Sequence, residues 1–170
     1  MSSRHKELKA EQLARVTALI RQRHPGDEGA AIESFVRRYY AGVLAIDLAE
    51  KGEEELYFSA LGHWRLARRR EPGRPLVRVY NPTLESDGWV SDHTVIAMVN
   101  DDMPFLVDST TAYLVGEGLQ VHQVVHPIIG VLRDEKGAIK ALADPAPSGE
   151  VKPESFIQYQ IDQRSSPETL

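Results

Sequence analysis

Residues 94–109 read Thr94-Val95-Ile96-Ala97-Met98-Val99-Asn100-Asp101-Asp102-Met103-Pro104-Phe105-Leu106-Val107-Asp108-Ser109. The run Thr94 to Val99, apolar and β-branched, predicts a strand buried on both faces. Acids and a proline then start a helix: N–H groups of a first turn need acceptors, and proline has no N–H to leave unpaired there. Asp101 and Asp102 are expected to cap it. Phe105, Leu106, Ser109, Ala112, Tyr113 and Gly116 mark its packed face, up to the stop at Gly116-Glu117-Gly118. The same junction, Asn100, Asp101, Asp102, Met103, Pro104 and Phe105, is the candidate ligand site, since free helix N–H groups can meet a carboxylate while the acids receive an ammonium.

Downstream, Leu119 to Arg133 predicts a long strand, Asp134-Glu135-Lys136-Gly137 a turn, and Ala138 to Ala143 a shorter strand. A loop at 144–149 leads to Ser155–Asp162, whose alternation predicts a half-exposed strand. Ser166-Pro167-Glu168 has the form of a helix start: a capping serine, proline at the first position, then an acid. Strand, helix, strand, strand and an incipient helix make up most of a βαββαβ ferredoxin-like pattern. The fold class expected is therefore α+β, with an N-terminal helical segment (1–74), a connecting strand and loop (75–92) and a truncated antiparallel-sheet domain (93–170) belonging to a longer parent.

Upstream, apolar positions at Leu13, Val16, Leu19 and Ile20 give a first helix ending at His24-Pro25-Gly26. Asp27 can cap a second, in which Ile32, Phe35, Val36, Tyr39, Tyr40 and Val43 form one stripe. A third follows Lys51-Gly52, acidic at its start and arginine-rich at its end, with Leu56, Tyr57, Ala60, Leu61, Trp64 and Ala67 inward. Pro72-Gly73-Arg74-Pro75 breaks the helical part, and Leu76–Tyr80 is a short strand.

The 170 residues are enough for a real core, and 42% hydrophobic with 26% charged residues is an ordinary globular composition. With no cysteine, disulfide, thiolate-zinc and thiol-nucleophile chemistry are excluded. No signal peptide or apolar span is visible, so a cytoplasmic protein without membrane partners is expected. Charge divides unevenly, net +4 over residues 1–78 and −9 over 79–170. The arginines between Arg65 and Arg78 fit a helix end docked on the acidic half better than a nucleic-acid site, and no dinucleotide or phosphate loop occurs. His122 and His126 on one strand would lie about 13 Å apart, too far to share an ion. With His93 a three-histidine site is a minor alternative to no metal at all. Ser109 has no nucleophile elbow around it, so no catalytic residue is assigned.

The run from Val95 to Ser109, continued by Gly118-Leu119-Gln120-Val121-His122, resembles the opening of an ACT domain, a ferredoxin-like amino-acid-sensing module. Together with Arg78-Val79-Tyr80-Asn81-Pro82, His126-Pro127-Ile128 and Arg133-Asp134, it resembles the N-terminal region of the large bacterial NAD-specific glutamate dehydrogenases, from about the second helix onward. That resemblance implies a parent enzyme that oxidises L-glutamate to 2-oxoglutarate and ammonia with NAD. Catalytic and NAD-binding parts would then lie elsewhere, leaving this segment as a regulatory or assembly region without a cofactor of its own. Its implied partners are the rest of the parent chain, an amino-acid effector and a second copy meeting it along a sheet edge. One position departs from amino-acid-binding members: Phe105 follows Pro104 where they usually carry glycine. The alternative reading is a freestanding ACT-like sensor or interaction module whose sheet edge, left open by the missing last strand, recruits a partner.

Overall fold

The computed structural model describes residues 3–144 and 149–166. Its elements are α1 (Ser3–Arg23), α2 (Asp27–Tyr39), α3 (Ala45–Ala49), α4 (Glu53–Ala67), β1 (Leu76–Tyr80), β2 (His93–Asp101), α5 (Leu106–Gly116), β3 (Val121–Val125), β4 (Ile128–Arg133), β5 (Ile139–Leu142) and β6 (Lys152–Asp162). The helix start read at Ser166-Pro167-Glu168 lies partly outside the described residues.

The stripe on α2 buries Ile32, Phe35, Val36 and Tyr39, and every inward residue expected on α4 is buried. Asp27 is the first helical residue rather than the cap: Gly26 takes that place at φ 80°, and no side chain bonds the free N–H groups. The short α3 was not foreseen; Ala45 and Leu48 carry it into the core.

All strands join one antiparallel sheet in the order β1-β2-β6-β4-β5, with β3 also on β6. Because β2, β3 and β4 each run antiparallel to β6, β2 and the β3–β4 line are parallel with β6 inserted between them, the split β-α-β of the ferredoxin-like pattern. The expected strand Leu119–Arg133 is broken at His126-Pro127, since Pro127 has no N–H for the ladder; its carbonyl still accepts from the Phe156 N–H at 3.0 Å. The outer edge of β2, expected open, is paired by β1 over its middle, from Leu76↔Val99 to Tyr80↔Val95.

The sheet is covered on both faces. On one, α1, α2 and α4 share a core with Val99, Val125, Ile129, Val131 and Phe156; on the other, Leu114 and Leu119 meet Ile96, Ile157, Tyr159 and Ile161. Consequently β6 is buried on both faces, not half exposed as its glutamines suggested. Gln158 sits in the helix-facing core, where Tyr39 (3.0 Å) and Ser59 (3.2 Å) donate to its Oε1. The helix α5 is turned from its expected setting. Leu114 is its buried residue, with Leu106 and Val107 half-buried, while Phe105, Ser109, Ala112, Tyr113 and Gly116 face outward.

Candidate functional site

The junction Asn100–Phe105 stands at one end of the sheet, where the last ladder pair is Asp101↔Glu154. Neither aspartate caps α5. Asp101 pairs with Arg70, and Asp102 accepts from the Ser155 hydroxyl at 2.7 Å. The N-cap position belongs to Phe105, in the left-handed region at φ 63° and with no side-chain cap. That is a conformation glycine adopts freely and a residue with a Cβ resists. The Phe105 ring is 74% exposed. Asn100, Asp101, Asp102, Met103, Pro104 and Phe105 thus lie together at the surface, and none of them lines the cleft beside His93 or the four other principal clefts of the described residues.

Two polar networks brace this end. Glu154, 2% exposed, receives Arg133 on both carboxylate oxygens (2.7 and 2.8 Å) and Arg70, also 2% exposed, at 2.9 Å. The Gly137 carbonyl accepts from both the Arg70 backbone N–H and the Arg133 side chain. Gly137 is required there, because its φ is 78° and a Cβ would stand 2.2 Å from the Arg70 carbonyl oxygen. The arginine-rich end of α4 is thereby docked on the acidic half through Arg70, as the charge division predicts. The second network is Asp102, Ser155 and His126, whose Nε2 lies 3.2 Å from the Ser155 hydroxyl. Burial holds the His126 pKa below its ordinary value, opposed by the Asp102 charge. Ser155 is fully buried and gives its proton to Asp102, so it is no exposed nucleophile.

The opposite end of the sheet, about 25 Å away along β2, carries an open cleft of about 640 Å³ between α3 and the starts of β2 and β3. On its wall the imidazoles of His93 and His122 lie with centroids 4.3 Å apart, tilted 49° to each other, and His122 Nε2 meets Asp162 at 2.8 Å. A β-bulge places His122 there: Val121 faces Ile161 and Gln123 faces Gln160, leaving His122 as the extra residue. The hydrogen bond from His122 holds the Asp162 carboxyl below the usual range. Of the three histidines considered together, the fold joins His93 and His122 and sends His126 to the far end. Among the described residues no group of three or more histidines and carboxylates could hold a metal ion.

The remaining motif residues serve the fold. Asn81 accepts from Thr94 (2.6 Å) and donates to the Arg164 carbonyl (2.7 Å); Arg78 lies 3.9 Å over the Tyr80 ring; Asp134 accepts the Lys136 and Ala138 N–H groups to close the β4–β5 turn.

Residues 35–170 match the family described as "Glutamate dehydrogenase, ACT1 domain". The chain belongs to that family. It is 34% identical over 168 residues to the NAD-specific glutamate dehydrogenase of Halomonas elongata, which covers 96% of this chain and 10% of that protein. It is 32% identical over 141 residues to the protein of the same name from Pseudomonas aeruginosa, covering 82% of this chain and 9% of that protein. The chain therefore spans about a tenth of the length of these relatives. No solved structure matches it. The turn from β2 into α5 does not fit a dinucleotide pyrophosphate: it presents Asp101, Asp102 and a left-handed Phe105 where such a loop carries glycines. No helix among the described residues is long and apolar enough to cross a membrane.

Proposed function

We propose that this chain is a non-catalytic regulatory or assembly region of an NAD-dependent glutamate dehydrogenase, whose whole polypeptide converts L-glutamate to 2-oxoglutarate and ammonia as NAD is reduced. The observation that carries the reading is the family match over 35–170 on a chain spanning about a tenth of its relatives. Residues 93–170 form the ACT-like unit in this reading, with the helices of 1–74 docked on its sheet. The principal partner is the remainder of the parent chain. An effector amino acid at Asn100–Phe105 would bind at the surface, against carboxylates already engaged by Arg70 and Ser155. A second copy would join along the outer edge of β1 or β5, the strands at the two ends of the order β1-β2-β6-β4-β5.

The test compares the parent enzyme with and without these residues. The isolated 170-residue chain is expected to give no glutamate-dependent NAD reduction. The parent lacking it should keep its chemistry while losing subunit assembly or effector response. A deletion that abolishes turnover without altering assembly would overturn the reading, and an encoded chain lacking any dehydrogenase region would favour the freestanding sensor.

A further inference from the structure

Arg78 and Tyr80 belong to a motif that the proposed function leaves unused, and both line a cleft of about 280 Å³ between α4, β1 and the loop after β1. On α4, Phe58, Gly62, Arg65 and Leu66 share one face of the helix, being spaced i, i+4, i+7 and i+8. The even spacing of Arg78 and Tyr80 sets both on one side of β1. The loop is locked against them. Asp87, its side chain 7% exposed, accepts from the Thr83 N–H (3.1 Å), the Ser86 hydroxyl (2.7 Å) and Arg78 (2.8 Å). Gly88, at φ 79°, passes so near α4 that a Cβ would stand 2.5 Å from the Phe58 ring. The cleft is therefore shaped before any ligand enters it.

What the cleft offers a ligand is donors. Tyr80 and Trp89 are 9% and 3% exposed, and both line it. Neither the Tyr80 hydroxyl nor the Trp89 indole N–H bonds another group among the described residues, and neither is sealed from solvent. Arg65 brings a guanidinium without an ion pair or hydrogen bond among the described residues. Arg78, 3.9 Å over the Tyr80 ring, gives Nη2 to Asp87 and keeps its other N–H groups free. The carboxylate of the cleft is spent: Asp87 is neutralised by Arg78 and already bonded by three donors. Two guanidiniums against that one carboxylate leave a positive excess, which favours an anion. Phe58 and Leu66, both half-buried, complete the wall with apolar surface.

We infer that this cleft binds a small aryl carboxylate that carries no amino group. Its carboxylate meets Arg65 and the free N–H groups of Arg78, with the Tyr80 hydroxyl and the Trp89 N–H as further donors. Its ring lies against Phe58 and Leu66. An amino acid of the same shape is rejected, because its ammonium would lose water beside two guanidiniums and find no unpaired carboxylate. The volume lies near the lower end of small-molecule sites, about 300 Å³, and admits one ring on a short chain. Every wall comes from this chain and none from Asn100–Phe105, so the test stands apart from the assembly reading and from an effector at that junction.

Calorimetric titration of the 170-residue chain with 3-phenylpropanoate should give saturable binding that weakens with added salt. Acetate, which lacks the ring, should give none, and L-phenylalanine should bind at least about tenfold more weakly. Arg65→Gln, at an exposed position, should weaken 3-phenylpropanoate about threefold to tenfold. Gly62→Leu should abolish binding by filling the cleft from α4, with far-UV circular dichroism unchanged. The inference is overturned by no saturable heat at about 10 mM 3-phenylpropanoate, or by L-phenylalanine or acetate binding as tightly. Unchanged affinity in Arg65→Gln, or retained binding in a folded Gly62→Leu, overturns it equally. Should Gly62→Leu fail to fold, Arg65→Gln and the three ligands decide the outcome.

Discussion

His63 shows at the scale of one residue what the core demands of a titratable group. It is fully buried on α4, with Nε2 2.9 Å from the Met98 carbonyl and Nδ1 2.9 Å from the Tyr39 hydroxyl. The carbonyl requires a proton on Nε2, and burial disfavours a second proton on Nδ1, so the ring is neutral, with Nδ1 beside the hydroxyl that Tyr39 also directs at Gln158. Burial pushes its pKa down to about 4, against the Met98 bond. An unfolded chain takes up a proton near pH 6.5 that the folded chain refuses until about pH 4, so stability falls as pH drops through that window. The expected loss from this residue between pH 7 and pH 5 is about 2 kcal/mol. Urea midpoints at the two pH values should converge in His63→Gln; an unaltered difference would assign the acid sensitivity elsewhere. Phe105 is the converse case, a surface residue whose cost lies in the backbone. Its φ of 63° costs roughly 1–2 kcal/mol for a residue with a Cβ, while its ring is mostly exposed. Phe105→Gly relieves the strain and gives part of it back as unfolded-chain entropy, for an expected net gain of up to about 1 kcal/mol. Phe105→Ala keeps the strain and should change little. A loss above about 1 kcal/mol in the glycine variant would mean that the ring is packed in solution.

Elements differ in how far their sequences disclose them. The stripes of α2 and α4 were legible because a single apolar face leaves one way to pack. In α5 two faces are apolar, one through Phe105, Ala112 and Tyr113, the other through Leu106, Val107 and Leu114, and periodicity cannot choose between them. The strand β6 misled for the opposite reason: Gln158 and Gln160 look like a solvent face, but the first is consumed by Tyr39 and Ser59 and the second, almost covered, lines the floor of a surface cleft. At the junction Asn100–Phe105 the residue types suited capping, yet Asp101 and Asp102 were claimed by Arg70 and Ser155, partners 31 and 53 residues away in sequence. The bulge at His122 had no signal at all, since register is settled by the partner strand. The setting of α5 can be checked directly. Leu114→Ala should cost about 2–4 kcal/mol and Tyr113→Ser under about 0.5 kcal/mol in this chain. The reverse order in chemical denaturation would mean that α5 is rotated onto its other face.

The whole molecule turns on where its core runs. The sequence changes character at Pro72-Gly73-Arg74-Pro75, from helical and basic to stranded and acidic, but the buried cluster crosses that point. Val16 and Ile20 of α1, Phe35 and Val36 of α2 and Trp64 of α4 share it with Val99, Ile129, Val131 and Phe156 of the sheet. Beyond the apolar contact, Arg70 is bound to Glu154 and Asp101, and β1 closes the β2 edge that the strand pattern would otherwise expose. A composition border therefore marks a change of element, and burial is continuous across it. Two units with separate cores would unfold separately; one shared core should unfold in a single step. Trp64 lies in the cluster that crosses the border and Trp89 in the one formed with Tyr80, Val95 and Ala97, so tryptophan fluorescence samples the helix-facing side at two places. Urea unfolding followed by fluorescence and by far-UV circular dichroism, which weights α1, α2 and α4, should give coincident midpoints. A chain beginning at residue 75 would expose the sheet residues of the shared core and lose Arg70 from Glu154, leaving a buried carboxylate with Arg133 as its remaining partner in that network. It should aggregate or bind a hydrophobic dye rather than fold cooperatively. Two resolved transitions in the full chain, or a cooperative and soluble 75–170 fragment, would show that the helices are an independent unit resting on a sheet that stands without them.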